Sequence, residues 1–148
     1  MTDRREEILQ RMLAILNSVA DGISVYRNRA AMEDKELPAY VLLDGTEERG
    51  IVPTQRRGQQ QMIVVPQVFY VPVPPENQMN EGIGEALSLH RSALLKAIMT
   101  DGPLAMLAGD NGYVEYRGME TDMQTGAEVQ GQFRLSFAVA YMLNFTKL

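Results

Sequence analysis

The stretch from Phe133 to Phe145, FRLSFAVAYMLNF, constrains the fold more than any other part of this 148-residue sequence. Its odd positions are all apolar and its even positions are mostly small or polar, which is the period of a β-strand with one buried face. At about 3.3 Å per residue such a strand spans roughly 40 Å. We therefore expect its odd face to lie in the core. The even face, which includes Ser136, Ala138 and Ala140, is neither charged like a solvated surface nor bulky like a core.

The rest of the sequence predicts two main helices and several further strands. The apolar spacing indicates helices over 3–20 and 81–100 and a short helical turn over 103–109. Strands are expected over 23–28, 39–44, 59–73 and 113–123, all before the long strand. Pro66 removes a ladder donor, so we expect a bulge or an edge position there. This order predicts an α+β fold in one domain, 1–148, with a mostly antiparallel sheet packed against two main α-helices.

Composition excludes several classes of protein. The chain has no cysteine and a formal net charge of -5, which argues against disulfide or thiolate chemistry and against a dominant basic face for nucleic acid. No apolar run is long enough for a membrane span. The charged, helical start lacks the features of a secretory signal. The absence of cysteine leads us to expect a cytoplasmic protein.

Candidate catalytic residues are few. His90 is the only histidine, and the helical period places it at the edge of the buried stripe of its helix. Glu120 and Asp122 face one way on a strand and could hold a divalent cation, but a solvated strand face is the commoner explanation. The glycines form neither a GxGxxG nor a P-loop spacing. We therefore expect no enzyme activity, no cofactor and no metal.

A long polar segment over 45–58 is predicted to connect two strands. It carries five charged residues that we consider candidates for assembly contacts: Glu47, Glu48, Arg49, Arg56 and Arg57. We expect this loop to be mobile in the free protein and to order against a neighbouring subunit or against another component of the same assembly. A merely tolerated surface loop is an equally good interpretation.

Four stretches together resemble the small tail terminator proteins of long-tailed bacteriophages. They are LPAYVLLDGTEE, VPQVFYVPVP, LHRSALLKAIMTDGPLAML and NGYVEYRGMETDMQTGAEVQGQFRLSFAVAYML. The resemblance covers nearly the whole chain, in order and at similar length. Related head–tail connector, neck and tail-completion proteins of phages share much of this layout.

The resemblance implies a structural protein of the virion tail, assembled in the host cytoplasm. Members of the family form a six-membered ring that caps the tail tube, stops its polymerisation and offers a surface to the head. The implied partners are further copies of the chain, the tail tube protein and a head–neck connector protein, while DNA passes through the lumen without specific binding. A ring would bury the even face of the long strand against a neighbour through Ser136, Ala138 and Ala140; a helix of the same subunit could cover it instead. A small α+β enzyme or ligand-binding module is the alternative from another class.

Overall fold

The computed structural model describes residues 3–29, 33–52, 57–73, 82–124 and 130–147. They form three α-helices, five strands and two short 3-10 turns. The helices are α1 (Arg4–Val19), α2 (Gly82–Met99) and α3 (Gly102–Ala108). The strands are β1 (Ser24–Arg27), β2 (Ala39–Arg49), β3 (Gln59–Val71), β4 (Tyr113–Gln124) and β5 (Gln130–Asn144), with 3-10 turns at Asp34–Glu36 and Phe145–Lys147. The α+β fold is confirmed.

All five strands belong to one sheet, in the order β1-β2-β3-β5-β4. The pairs β2–β3, β3–β5 and β4–β5 are antiparallel, and only the short β1 runs parallel to its neighbour β2. The long strand β5 therefore lies between β3 and β4, and the sheet is mostly antiparallel as predicted. The edge strands are β1 and β4, of four and twelve residues.

The core lies between one face of the sheet and the three helices. On β5 the odd residues are buried from Phe133 to Tyr141, and they pack with the buried stripes of the helices. Those stripes contain Ile8, Leu9, Met12, Ile15 and Leu16 of α1, Leu87, Leu94 and Ile98 of α2, and Leu104 of α3. The period-2 prediction is thus confirmed, except at Phe145. That ring is 52% exposed because β5 ends at Asn144 and the chain turns into a 3-10 turn.

Helix α1 begins and ends where its local sequence requires. The Asp3 carboxylate accepts a hydrogen bond from the Arg5 backbone N–H, and Glu6 and Glu7 lie in the first turn, next to the positive end of the helix. At the other end Ala20 adopts an extended conformation and its N–H donates to the Leu16 carbonyl. The chain then enters β1.

Strand β2 is longer than predicted, and the reason is a bulge. The pairing with β3 shifts between Leu43 and Thr46, after which the ladder continues to Arg49. Gly45 makes this possible, since it has φ +70 and a Cβ there would lie 1.9 Å from the Val65 carbonyl oxygen. The predicted loop over 45–58 is therefore wrong for residues 45–49. These strand residues have the polar composition that is typical of a loop, because their side chains are exposed.

Pro66 lies at a bulge in the pairing of β2 with β3, as predicted, and not on an edge strand. Strand β3 is central, and its register with β5 is the same on both sides of Pro66, from Val64 opposite Val139 to Gln67 opposite Ser136. The extra residue of the bulge is in β2, between the pairs Leu43–Gln67 and Thr46–Val65, directly opposite the missing Pro66 donor. The irregular pairing therefore adds a residue to β2, while β3, which contains the proline, stays regular.

Two sets of ion pairs link helix α1 to other elements of the fold. Arg27 of β1 donates to Glu6 of α1 at 2.8 Å and 2.9 Å and to Asp44 of β2 at 2.8 Å and 3.0 Å. Its hydrogen bonds lower the pKa of Glu6 to about 2 and lower that of Asp44. Arg11 of α1 similarly holds Asp101, whose carboxylate also accepts from the Leu104 N–H at the start of α3.

Candidate assembly surface

The face of the sheet opposite the helices holds only a small cluster of packed residues. We call it the open face. Its floor is a small cluster of Ile63, Ala138 and Ala140, against which Val65 packs, and no described helix residue belongs to this cluster. Antiparallel sheets commonly leave one face towards water.

Ala138 and Ala140 are both fully buried. The even face was expected to be covered either by a neighbouring subunit or by a helix of the same subunit, and the structure shows a third arrangement. No described helix covers them, and no second subunit is needed to bury them. The register explains how, since Val65 flanks Ala138 on the β3 side and Glu115 flanks it on the β4 side. Taller side chains on both sides enclose the alanine methyl groups. A neighbour would meet the enclosing side chains rather than the alanines.

An ion pair crosses this floor. The Arg117 guanidinium of β4 lies 3.8 Å from the Glu48 carboxylate of β2 and 3.4 Å from Glu115 of its own strand. Because β3 and β5 separate β4 from β2, the Arg117–Glu48 contact spans the two central strands over the alanines. Glu48, one of the predicted assembly residues, thus lies on the open face together with Ser136, Ala138 and Ala140.

A bulge in β4 accompanies this contact. The pairing of β4 with β5 shifts between Tyr116 and Gly118, which leaves Arg117 without a partner in the ladder. Gly118 has φ +134, a value that favours glycine. Bulges of this kind redirect a side chain out of the regular pleat. Sequence reasoning missed Arg117, although a glycine inside a strand pattern is a recognised signal of a bulge.

One end of the open face carries the start of the β2–β3 connection. The Gly50 N–H donates to the Gln61 backbone carbonyl at 2.8 Å, and the Val52 N–H donates to Gln61 Oε1 at 3.3 Å. Gln61 Nε2 in turn donates to the Asn111 carbonyl at 3.2 Å. Between the two anchored residues Ile51 stands in solvent with 95% of its surface exposed. Sequence reasoning also missed Gln61, because a polar residue in a strand gives no sign that a loop folds over it.

The opposite end of the same face carries a pocket of about 280 Å³. It is lined by Phe69 of β3, Glu120 and Thr121 of β4, and Gln132, Phe133 and Arg134 of β5. The Arg134 guanidinium lies 6.0 Å from the centre of the Phe69 ring and pairs with the Glu120 carboxylate. The pocket thus has an aromatic wall and a charged rim.

The other predicted assembly residues are dispersed. Glu47 accepts a hydrogen bond from the Tyr141 hydroxyl, which places its carboxylate at the core side of the sheet. Burial, followed by this bond, raises the pKa of Tyr141. Arg49 is exposed at the end of β2 and Arg57 is exposed in the turn before β3. Arg56 lies outside the described residues.

The predicted cation pair is only partly described. Glu120 is engaged by Arg134, and the side chain of Asp122 lies outside the described part of the chain. Within the described residues there is no group of three or more His, Cys, Asp or Glu side chains that could hold a metal ion.

His90 lies at the edge of the buried face, as predicted. Its Nδ1 is 2.8 Å from the Tyr40 hydroxyl, and its ring stacks on Tyr70 with centroids 4.1 Å apart. Burial lowers the pKa of His90 and raises that of Tyr40 to about 12. Among the described hydrogen bonds, none joins His90 to a carboxylate. The contacts are therefore those of a packed aromatic cluster.

No protein-family model matches this sequence, and no curated protein matches it significantly. None of the described helices combines the length and the hydropathy that a membrane crossing requires.

Proposed function

We propose that this chain is a structural protein of a phage or prophage tail, which forms a ring that caps the tail tube, ends its polymerisation and presents a surface for head attachment. The observation that carries the proposal is the open face. No described helix packs over it, and it presents an ion pair across the sheet and exposed apolar side chains at one end. Such a surface suits contact with another protein chain.

The fold also supports the proposed function as a structural protein that associates with other chains. The order of helices and strands is the one that the apolar spacing predicts, and an α+β domain with one uncovered sheet face can bury that face by association. At the end of the open face, Ile51, Val52 and Tyr113 are 95%, 41% and 39% exposed. Exposed apolar side chains that lie together at one end of a face are compatible with a protein–protein contact.

The charge of the chain is compatible with a DNA conduit. Its net charge of -5 means that a ring of six copies is strongly acidic, and acidic or neutral walls do not retain phosphate. DNA would pass such a lumen without binding. The proposed partners are therefore other copies of the chain, the tail tube protein and a head–neck connector protein.

Tail tubes provide the test of this function. Tube protein from the phage or prophage that encodes the chain is allowed to polymerise with and without the purified protein, and tube lengths and ends are imaged. We expect shorter tubes with a ring at one end. Tubes of unchanged length with bare ends would contradict the proposal. Binding to the head–neck connector protein with no binding to tubes would favour the alternative function, a head–tail connector or neck protein.

A further inference from the structure

Strand β4 is the long free edge of the sheet. It has twelve residues and pairs only with β5, and within the described residues no backbone–backbone hydrogen bond joins it to another element. At about 3.3 Å per residue it presents a border of roughly 40 Å. The opposite edge strand, β1, has only four residues. A short edge offers little to pair with, whereas an edge as long as β4 exposes a row of backbone donors and acceptors to any other strand.

Several side chains of β4 favour such pairing. Tyr113 and Met119 are 39% and 41% exposed, and Val114 and Tyr116 are partly buried. Aromatic and β-branched residues are stabilised by neighbours on an adjacent strand. A strand added to β4 would cover these groups and bond the free backbone at the same time. A chain that carries this edge therefore requires a feature that opposes uncontrolled association.

The bulge at Arg117 interrupts the edge near its middle. Arg117 is an extra residue in the pairing with β5, so the regular ladder is divided into the segments Tyr113–Tyr116 and Gly118–Gln124. A bulge bends its strand and increases the local twist. A straight incoming strand can therefore follow β4 over no more than the second of these segments.

The conformation of Gly118 belongs to this bulge. Its φ is +134, and no atom lies within 4 Å of the position that a Cβ would take. The backbone conformation, and not a lack of space, is therefore what favours glycine there. Charges lie on both sides of the bulge, since Glu115 is 3.4 Å from the Arg117 guanidinium and the Glu120 side chain is 74% exposed. Bulges and charged side chains both oppose pairing at the edges of natural sheets.

We infer that the bulge at Arg117 protects the free edge of β4 from pairing with a strand of another chain. The bulge acts at the edge of the sheet and leaves the open face accessible. The inference goes beyond the proposed function and does not depend on it. In a ring, the subunits meet through surfaces other than a sheet that continues across β4.

Deletion of Arg117 removes the bulge. Because Tyr116 lies opposite Phe137 and Gly118 lies opposite Ser136, the deletion makes the ladder continuous without moving another residue to the opposite face. Circular dichroism checks the fold, and analytical ultracentrifugation measures association. We expect species larger than those of the natural protein, with association tighter by roughly tenfold or more. The matched control is Arg117→Ala, which keeps the extra residue and loses only the ion pairs, and it should associate like the natural protein.

A rescue variant separates edge pairing from a general loss of stability. Met119→Lys in the deletion background places a charge on the continuous edge, next to the site of the removed bulge, and should return association to that of the natural protein. A folded deletion variant that associates no more than the natural protein would overturn the inference. Equal association of the deletion variant and Arg117→Ala would also overturn it, because the charge and not the bulge would then be the protecting feature.

Amide hydrogen exchange of the natural protein decides the question if the deletion variant does not fold. The N–H groups of β4 that are not bonded to β5 should exchange at rates that do not depend on protein concentration or on ring formation. Protection of these groups that rises with concentration would show that the edge pairs in the natural protein, and would overturn the inference. Unchanged exchange in a protein that never forms rings would support the inference and contradict only the proposed function.

Discussion

Replacing Phe137 by alanine tests whether the odd face of β5 is the core of a single subunit. Phe137 has no exposed surface, and its ring centre lies 5.7 Å from that of Tyr116. Removal of a buried phenylalanine ring leaves a cavity and costs about 3–5 kcal/mol of unfolding free energy. For a chain of this size that corresponds to a fall in melting temperature of roughly 6–20 °C. Urea unfolding followed by circular dichroism measures the loss.

The matched control is Phe145→Ala, at the same parity of the same segment. Phe145 is 52% exposed, so its removal should cost about 1 kcal/mol or less. Both variants must be measured at one protein concentration, because association raises apparent stability. Equal losses for the two variants, or a loss below about 1 kcal/mol for Phe137→Ala, would refute the assignment of the core.

Three further predictions concern the backbone and the titratable groups. Gly45→Ala should be clearly more destabilising in urea than Gly22→Ala: both glycines have φ +70, but only at Gly45 would a Cβ collide with backbone. Equal losses would contradict this. The Glu6 carboxylate has its pKa lowered to about 2 by Arg27, so its stabilisation is complete above pH 4.5 and is lost as pH falls towards 2. Glu6→Gln should therefore flatten the acid side of the stability profile, and an unchanged profile would count against it. Burial lowers the pKa of His90, so NMR titration should give a value below 6.5, whereas a value at or above 6.5 would disagree.

The sequence predicts the core of this protein well because the core depends on local periodicity. Alternation over β5 indicated its buried face, and the 3- and 4-residue spacing indicated the buried stripe of α1. The fold class followed from the order of the elements. These signals lie within a few residues of one another, so they are readable without knowledge of tertiary contacts.

The open face is less predictable because its contacts join residues that are far apart in sequence. The Arg117–Glu48 pair connects residues separated by two intervening strands of the sheet, and nothing local to either residue indicates the other. Gln61 is buried because residues 50–52 fold over it. The continuation of β2 to Arg49 depends on a glycine bulge inside a segment whose composition is that of a loop.

Images of the purified protein in negative stain, alone and with tail tubes, test the central proposal most directly. The account predicts closed rings with sixfold symmetry, either free in solution or seated at tube ends, and a mass six times that of the 16.6 kDa chain. Monomers alone, at high concentration and in the presence of tubes whose ends stay bare, would contradict it.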